Sequence, residues 1–145
     1  MKNEQKQRVN PVNSLYRISS LVSDTEDPHK ALEMIVDEVV SALNPASASI
    51  ALFNPDTRLL EIEVSRGLPK DSSKFTLEPG KGVTGWVLLH GKPALVPDVR
   101  EDGRYFPLKK SIRSELAVPM DDNGNVIGVV NVNSSQIAAF DEQDL

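Results

Sequence analysis

Regularly spaced apolar residues predict one long helix in the first third of the chain. The stripe keeps intervals of three and four residues, which is the helical period, and consists of Ala31, Leu32, Ile35, Val36, Val39, Val40 and Leu43. Asp27 is a suitable N-cap, Pro28 a suitable first residue, and Asn44-Pro45 a clear stop. A shorter stripe at Leu15, Ile18 and Val22 predicts another helix before it.

Alternating apolar and polar residues predict two antiparallel hairpins after the long helix. The first joins Ser47–Phe53 to residues 60–65 through turn residues 54–58, and its second strand is expected to keep one wet face. The second hairpin turns at Asp122-Asn-Gly-Asn125. Pro119 predicts a bulge or an interrupted ladder before that turn, and Val126–Val132 is apolar on both faces, as in a central strand.

Three closely spaced glycines, Gly80, Gly82 and Gly85, open a short predicted helix between the hairpins. Val83–Leu89 supplies about two helical turns before Gly91 ends them, and Ala94–Val99 reads as a strand. The glycines satisfy G-x-G-x-x-G, the dinucleotide-binding fingerprint. That fingerprint requires a long strand before it and a long helix after it, so a dinucleotide site is not predicted. Lys74–Leu77 is expected to form a short edge strand.

Helices followed by an antiparallel sheet with irregular segments in mid-chain predict an α+β fold. The ordered blocks GKGVTGWV, GKPALVPDV, RSELAVPM and GNVIGVVNVN resemble a GAF domain, and the resemblance runs from about Leu15 to Leu145. It implies a central antiparallel sheet with N- and C-terminal helices on one face. The other face would carry a lid of short helices and loops from Gly80 to Lys110, with any ligand between lid and sheet.

The expected domain organisation is a flexible N-terminal segment, residues 1–12, and a single GAF-like domain, residues 13–145. Phe140–Leu145 reads as the opening of a helix, so the closing C-terminal helix of the family is expected to be truncated here. The N-terminal helices would then lack a neighbour for their apolar faces. A homodimer through these helices is therefore predicted.

Size and charge narrow the functional classes. A chain of 145 residues fits one domain, and its net charge of −5 disfavours nucleic acid or an anionic membrane as the main partner. Apolar runs are far too short for a membrane span, and the polar N-terminus is no signal peptide. A cytoplasmic location is the default expectation.

The predicted lid holds most of the chemically versatile side chains. Its aromatic residues are expected either to line a pocket or to fill the lid core. Its basic residues cluster in a chain that is otherwise acidic, and they favour an anionic ligand. Asp98 is placed to accept a hydrogen bond from a ligand or to cap the following turn. The basic residues are Arg100, Arg104, Lys109, Lys110 and Arg113. The candidate ligand-binding residues are Trp86, Val96, Asp98, Tyr105, Phe106, Arg113 and Ser114.

The resemblance also bears on known GAF chemistries. Cyclic-nucleotide-binding members carry an asparagine-lysine-phenylalanine-aspartate-glutamate signature, of which only Phe140-Asp141-Glu142 is found, so cyclic nucleotides are disfavoured. Members that reduce free methionine sulfoxide act through cysteines, and bilin-carrying members usually attach the pigment to one; this chain has none. His90 and His29 are too isolated to predict haem or a metal site. The cofactor is left unknown, and no enzymatic activity is predicted.

Two functions remain after these exclusions. The first is a sensory module of a larger signalling protein, such as a histidine kinase of a two-component system, a cyclic-dinucleotide enzyme or a transcriptional activator. It would bind an unidentified small, anionic molecule and signal through its terminal helices to an output domain. The second is a ligand-free dimerisation scaffold whose pocket is filled by Trp86, Tyr105 and Phe106.

Overall fold

The computed structural model describes residues 28–69, 76–104, 111–141 and 144 of the chain. The described residues contain two α-helices, a 3-10 turn and six strands. The helices are α1 (Pro28–Leu43) and α2 (Gly82–His90), and the 3-10 turn is Val99–Glu101. The strands are β1 (Ser47–Asn54), β2 (Leu59–Arg66), β3 (Thr76–Leu77), β4 (Ala94–Val96), β5 (Ser114–Asp122) and β6 (Asn125–Ser134).

The six strands form one antiparallel sheet in the order β3-β2-β1-β6-β5-β4. Both predicted hairpins are present, and β6 lies at the centre between β1 and β5. The hairpin turn between β5 and β6 has positive φ angles at Asn123 and Gly124, a combination that asparagine and glycine tolerate best. The antiparallel sheet and the α+β class are thereby confirmed.

Helix α1 covers one face of the sheet, which we call the helix face. It begins at Pro28 and ends at Leu43, as the apolar stripe predicts. Val36 on α1 packs with Ile50 of β1, Leu116 of β5 and Val132 of β6, and all four are almost fully buried. Phe140, which follows β6, closes the same cluster. This face is a continuous apolar core.

Helix α2 lies on the opposite face, which we call the lid face, in contact with β3, β5 and β6. Val83 and Val87 of α2 pack with Ala117 and Val129 of the sheet. The glycine-rich turn folds back on α2: a Cβ on Gly85 would lie 2.6 Å from the carbonyl oxygen of Glu78. The glycines therefore permit close backbone packing after a two-residue antiparallel edge strand, and the described residues around them form no parallel strand–helix–strand unit.

One expectation about β2 was wrong. A single wet face was predicted for this strand, but Leu60 and Ile62 belong to the lid-face core while Val64 belongs to the helix-face core. The cause is a β-bulge, because Ile50 pairs with Val64 whereas Ala51 pairs with Ile62. The extra residue, Glu63, reverses the alternation and bends the strand.

Other differences from the predicted elements are small. β4 ends at Val96 rather than Val99, because the chain turns into the 3-10 turn. A register shift follows Met120, beside the proline that predicted it. The predicted first helix and flexible segment lie outside the described residues. So does most of the predicted helix opening at 140–145, where only 140, 141 and 144 are described.

Candidate functional site

Five buried polar residues form a patch on the lid face of the sheet, which we call the polar floor. Its members come from β1, β5 and β6: Ser47, Ser49, Glu115, Asn131 and Asn133. Strand pairing places them together, since Ser47 pairs with Asn133, Ser49 with Asn131, and Asn133 with Glu115. The next inward positions, Ala51 and Val129, are apolar. The lid face thus has an apolar half and a polar half.

Asn131 connects the polar floor to α2. Its side-chain amide nitrogen donates to Oγ1 of Thr84 at 2.8 Å and to Oε1 of Glu115 at 2.7 Å. Both amide hydrogens are therefore used, and the link ties the lid helix to strands β5 and β6. Nearby, Nδ2 of Asn133 donates to Oγ of Ser47 at 3.1 Å, which fixes the other end of the floor.

Two acceptors on the polar floor are left without partners. Oε2 of Glu115 and Oδ1 of Asn131 are buried, and neither accepts a hydrogen bond within the described part of the chain. Burial raises the pKa of Glu115 to about 7; the hydrogen bond from Asn131 opposes this effect, while the charge of Asp102 adds to it and that of Arg104 opposes it. A carboxyl group only 4% exposed therefore titrates near neutral pH.

Arg104 lies over the indole ring of Trp86 beside the polar floor. Its guanidinium carbon is 4.5 Å from the ring centroid, a cation–π distance. Asp102 holds this guanidinium with contacts of 2.6 Å to Nη2 and 2.9 Å to Nε, and the ion pair lowers the pKa of Asp102 and raises that of Arg104. His90 stacks on the same indole at 4.5 Å. The indole of Trp86 thus contacts His90 of its own helix and Arg104 of the loop after the 3-10 turn.

A second polar cluster, which we call the exit junction, joins the lid to the chain that leaves β6. Oδ1 of Asp98 accepts from the backbone N–H of Arg100, and its Oδ2 lies 3.4 Å from Nη2 of Arg113. The hydroxyl of Ser114 donates to the carbonyl of Gln136 at 2.6 Å, and the N–H of Ala138 donates to the carbonyl of Pro97 at 2.8 Å.

The structure divides the predicted ligand-binding residues between these two clusters. Val96 pairs with Glu115 across the β4–β5 ladder, so it borders the polar floor on the lid face. Trp86 is nearby on α2. The other three described candidates, Asp98, Arg113 and Ser114, lie at the exit junction. Tyr105 and Phe106 lie outside the described residues.

The predicted basic surface is largely neutralised where it can be seen. Arg104 is paired with Asp102, Arg113 with Asp98, and Arg100 is exposed. Lys109 and Lys110 lie outside the described residues. The charges next to the polar floor, Asp102, Arg104 and the titratable Glu115, do not add up to a positive patch.

The sequence analysis missed the most informative residues of the site, namely Thr84, Glu115 and Asn131. A signal was present: Asn131 and Asn133 interrupt a strand that is otherwise apolar on both faces. Glu115 alternates with Leu116 and Val118 in the sequence, a pattern that is typical of a solvent-facing position. The sheet has no wet face at that point, because α2 and the lid loops cover one side and α1 the other.

Neither a metal-binding cluster nor a membrane-spanning helix is found among the residues that the structure describes. Within them, no three histidine or carboxylate side chains are grouped in a way that would hold a metal ion. Neither described helix has the length and apolar character needed to cross a membrane.

Among curated proteins, the chain is similar to GAF domain-containing protein A of Dictyostelium discoideum, with 34% identity over 68 residues. That alignment covers 47% of this chain and 43% of the relative. It is also 23% identical over 128 residues to the Nif-specific regulatory protein of Azospirillum lipoferum, covering 83% of this chain and 20% of that protein. The chain thus spans less than half of the length of these relatives.

Two solved structures extend the comparison. The free methionine-R-sulfoxide reductase of Neisseria meningitidis, in complex with its substrate, is similar with a TM-score of 0.81 and 26% identity, over 94% of this chain and 83% of that one. The GAF domain of an Acinetobacter phosphoenolpyruvate-protein phosphotransferase has a TM-score of 0.82 and 24% identity, over 99% and 85% of the two chains. The family model for the GAF domain matches residues 25–145. With the family's sheet, lid and order of sequence blocks all present, this chain belongs to the GAF domain family.

Proposed function

We propose that this GAF domain is a sensory and regulatory module that binds a small molecule between α2 and the polar floor. The observation that carries the proposal is the pair of buried, unpartnered acceptors on Glu115 and Asn131. Buried polar atoms in folded proteins nearly always have a partner, and leaving one without costs about 1–3 kcal/mol. A ligand that donates to both atoms would remove that cost.

The exit junction supports a signalling role for the bound molecule. Asp102 and Arg104, which border the polar floor, follow directly on Pro97–Glu101, and this segment contacts Arg113 and Ala138 through hydrogen bonds. A ligand that moves the lid would therefore disturb the chain that leaves β6. Coupling of this kind requires that the ligand favour one arrangement of the junction over another.

The wider role that we propose is based on the proteins that are similar to this chain. One of them is named as a Nif-specific regulatory protein and is several times longer than the aligned region. This supports a module that works beside an output domain of a larger protein, and a cytoplasmic location is part of the proposal. We keep homodimerisation through the N-terminal helices as part of the proposal.

The proposed role is non-catalytic. One structural neighbour is a methionine sulfoxide reductase, so the fold itself is compatible with an enzyme. The resemblance of the sequence implied that such members act through cysteines, and this chain contains none. The polar floor offers a carboxyl, amides and hydroxyls but no paired nucleophile and base among the described residues, so binding is the activity that it supports best.

A dimerisation scaffold is the second candidate. The observation in its favour is the packing of Arg104 and His90 against Trp86, which fills the outer part of the lid without a ligand. It leaves the two unpartnered acceptors unexplained, and for this reason we place it second.

Native mass spectrometry on freshly purified protein tests the proposal. We expect extra mass on the wild type that disappears in a denatured control. Glu115→Gln should reduce the occupancy strongly, whereas Glu101→Gln, which changes an exposed carboxylate of the lid, should retain it. A wild-type protein that is always free of ligand and dimeric would favour the scaffold.

Hydrogen exchange tests the signalling part separately. Protein freed of its ligand by unfolding and refolding is compared with the protein as purified. We expect faster amide exchange on ligand removal in residues 97–104 and also in 134–140. A change confined to the lid would contradict coupling through the exit junction.

A further inference from the structure

The two buried side-chain atoms of the polar floor that lack a hydrogen-bond partner are both acceptors. Asn131 uses both amide hydrogens on Thr84 and Glu115, so only its Oδ1 is open to another group. Glu115 contributes Oε2. We propose that the site takes a small organic cation, whose ammonium or amidinium group donates to Oε2 of Glu115 and Oδ1 of Asn131. This inference rests on the proposed function and specifies the chemical class of its ligand.

The charges around the floor favour a cation over an anion. The charged groups that act on Glu115 from the described elements are Asp102 and Arg104, and the latter is bound by the former. An anion seated beside Glu115 would meet two carboxyl groups and a guanidinium that is already neutralised. A cation instead supplies the charge that a buried carboxylate needs. The proposed ligand is therefore cationic, whereas the basic residues of the lid predicted an anionic one.

The neighbouring side chains favour a ligand with a compact apolar body. Val96 lies directly across the ladder from Glu115 and is almost fully buried. Trp86 adds an aromatic surface on the lid side, and Arg104 already shows that a cation is tolerated against its ring. An aryl or alkyl group carrying one ammonium group matches this combination of acceptors and apolar walls.

Binding of a cation also predicts release of a proton. Near pH 7 Glu115 is present partly as the neutral acid. An ammonium ion already carries its full complement of protons, so when it binds the carboxylate, the proton of the neutral acid leaves for the buffer. About half a proton should be released per molecule bound at pH 7, and only about a tenth at pH 8, where benzylammonium is still almost fully protonated. A neutral ligand that accepts a hydrogen bond from the acid would bind with no release.

Three matched probes test the proposal: benzylammonium, benzyl alcohol and benzoate, at millimolar concentrations. Trp86 is the only tryptophan, so its indole N–H gives a single signal in a ¹⁵N-labelled sample of the whole chain. We expect benzylammonium to shift this signal and those of the Asn131 amide, and the other two probes to leave both unchanged. Calorimetry in two buffers of different ionisation enthalpy measures the proton release.

Matched variants locate the effect. Glu115→Gln keeps the size and the acceptor for Asn131 and should weaken benzylammonium binding at least tenfold, whereas Glu101→Gln should bind as the wild type does. If benzoate or benzyl alcohol bound more tightly than benzylammonium and shifted the same signals, the proposal of a cationic ligand would be overturned. The proposed binding site would remain. Failure of benzylammonium to shift either signal would also overturn the proposal, and native mass spectrometry would still decide the proposed function.

Discussion

Glu115 and Leu116 are consecutive residues on β5, yet their side chains lie on opposite faces of the sheet in very different surroundings. Leu116 is buried against α1 among apolar side chains, and every contact there contributes to stability. Glu115 is equally buried on the lid face, but one of its carboxyl oxygens has no partner among the described residues. A surface optimised for folding alone would not keep such a group.

The two faces differ in the same way along their length. The helix face places valine, isoleucine and leucine from α1, β1, β5 and β6 in one cluster. On the lid face, the apolar core around Ala51, Ala117 and Val129 gives way to polar side chains toward Ser47 and Asn133. Function commonly lies where a fold gives up stability, and this contrast supports the proposal that the helix face serves stability and the lid face serves binding.

The helix face should show the largest loss of stability on truncation. Leu116→Ala removes a side chain that is 2% exposed and leaves a cavity, so we expect a loss of about 2–5 kcal/mol in the free energy of unfolding, measured in urea. Leu89→Ala, at an exposed position of α2, should change it by less than about 0.5 kcal/mol. Similar values for the two variants would remove the distinction between core and surface on which the comparison depends.

On the lid face, replacing Glu115 should raise the free energy of unfolding, whereas truncating Leu116 on the helix face lowers it. Its pKa is about 7 in the folded state and near 4.5 when unfolded, so the folded state binds more protons between these values and stability falls as the pH rises from 4.5 to 7. The loss amounts to about 3 kcal/mol above pH 7. Glu115→Gln should therefore stabilise the ligand-free protein at pH 8 and have little effect at pH 4.5, as measured by urea unfolding. A variant equally destabilised at both pH values would contradict this account.

The link between lid and floor should have a smaller effect. Thr84→Val preserves the shape of the side chain but removes the acceptor for Asn131, leaving a buried N–H without a partner. We expect a loss of about 1–2 kcal/mol, with a change in the Trp86 fluorescence that shows altered lid packing. Thr57→Val, on an exposed turn, serves as the control and should be close to neutral.

A substitution at the exit junction should change the free energy of unfolding least. Asp98→Asn retains an oxygen that caps the 3-10 turn and loses only the charge that faces Arg113 at 3.4 Å. We expect a loss of about 0.5 kcal/mol, with ligand occupancy in native mass spectrometry unchanged. Occupancy that disappears would return Asp98 to the binding site, where the sequence analysis placed it.

The sequence was sufficient to predict the fold because local signals agreed with one another. The stripe on α1, the Asn-Gly turn before β6 and the glycine-rich start of α2 each specified an element at nearly its observed bounds. The bulge at Glu63 escaped prediction, since no local feature marks an extra residue that is defined by pairing with another strand.

The site was predicted less well than the fold for a physical reason. Asp98, Arg113 and Ser114, which were predicted to bind a ligand, make hydrogen bonds that hold the chain together at the exit junction. Glu115 and Asn131 became candidates only once the topology showed both faces of β5 and β6 to be covered. Charge and aromatic content pointed to the lid region of the chain, whereas burial of polar groups depends on the complete sheet.

The most direct test of this account is the pKa of the Glu115 carboxyl in the ligand-free protein, followed by ¹³C NMR with Glu115→Gln to assign the signal. We expect a titration near pH 7, because the group is buried and one of its oxygens lacks a partner. A pKa close to 4.5 would show a solvated or fully paired carboxylate. It would contradict the claim that the lid face keeps an unsatisfied acceptor for a ligand.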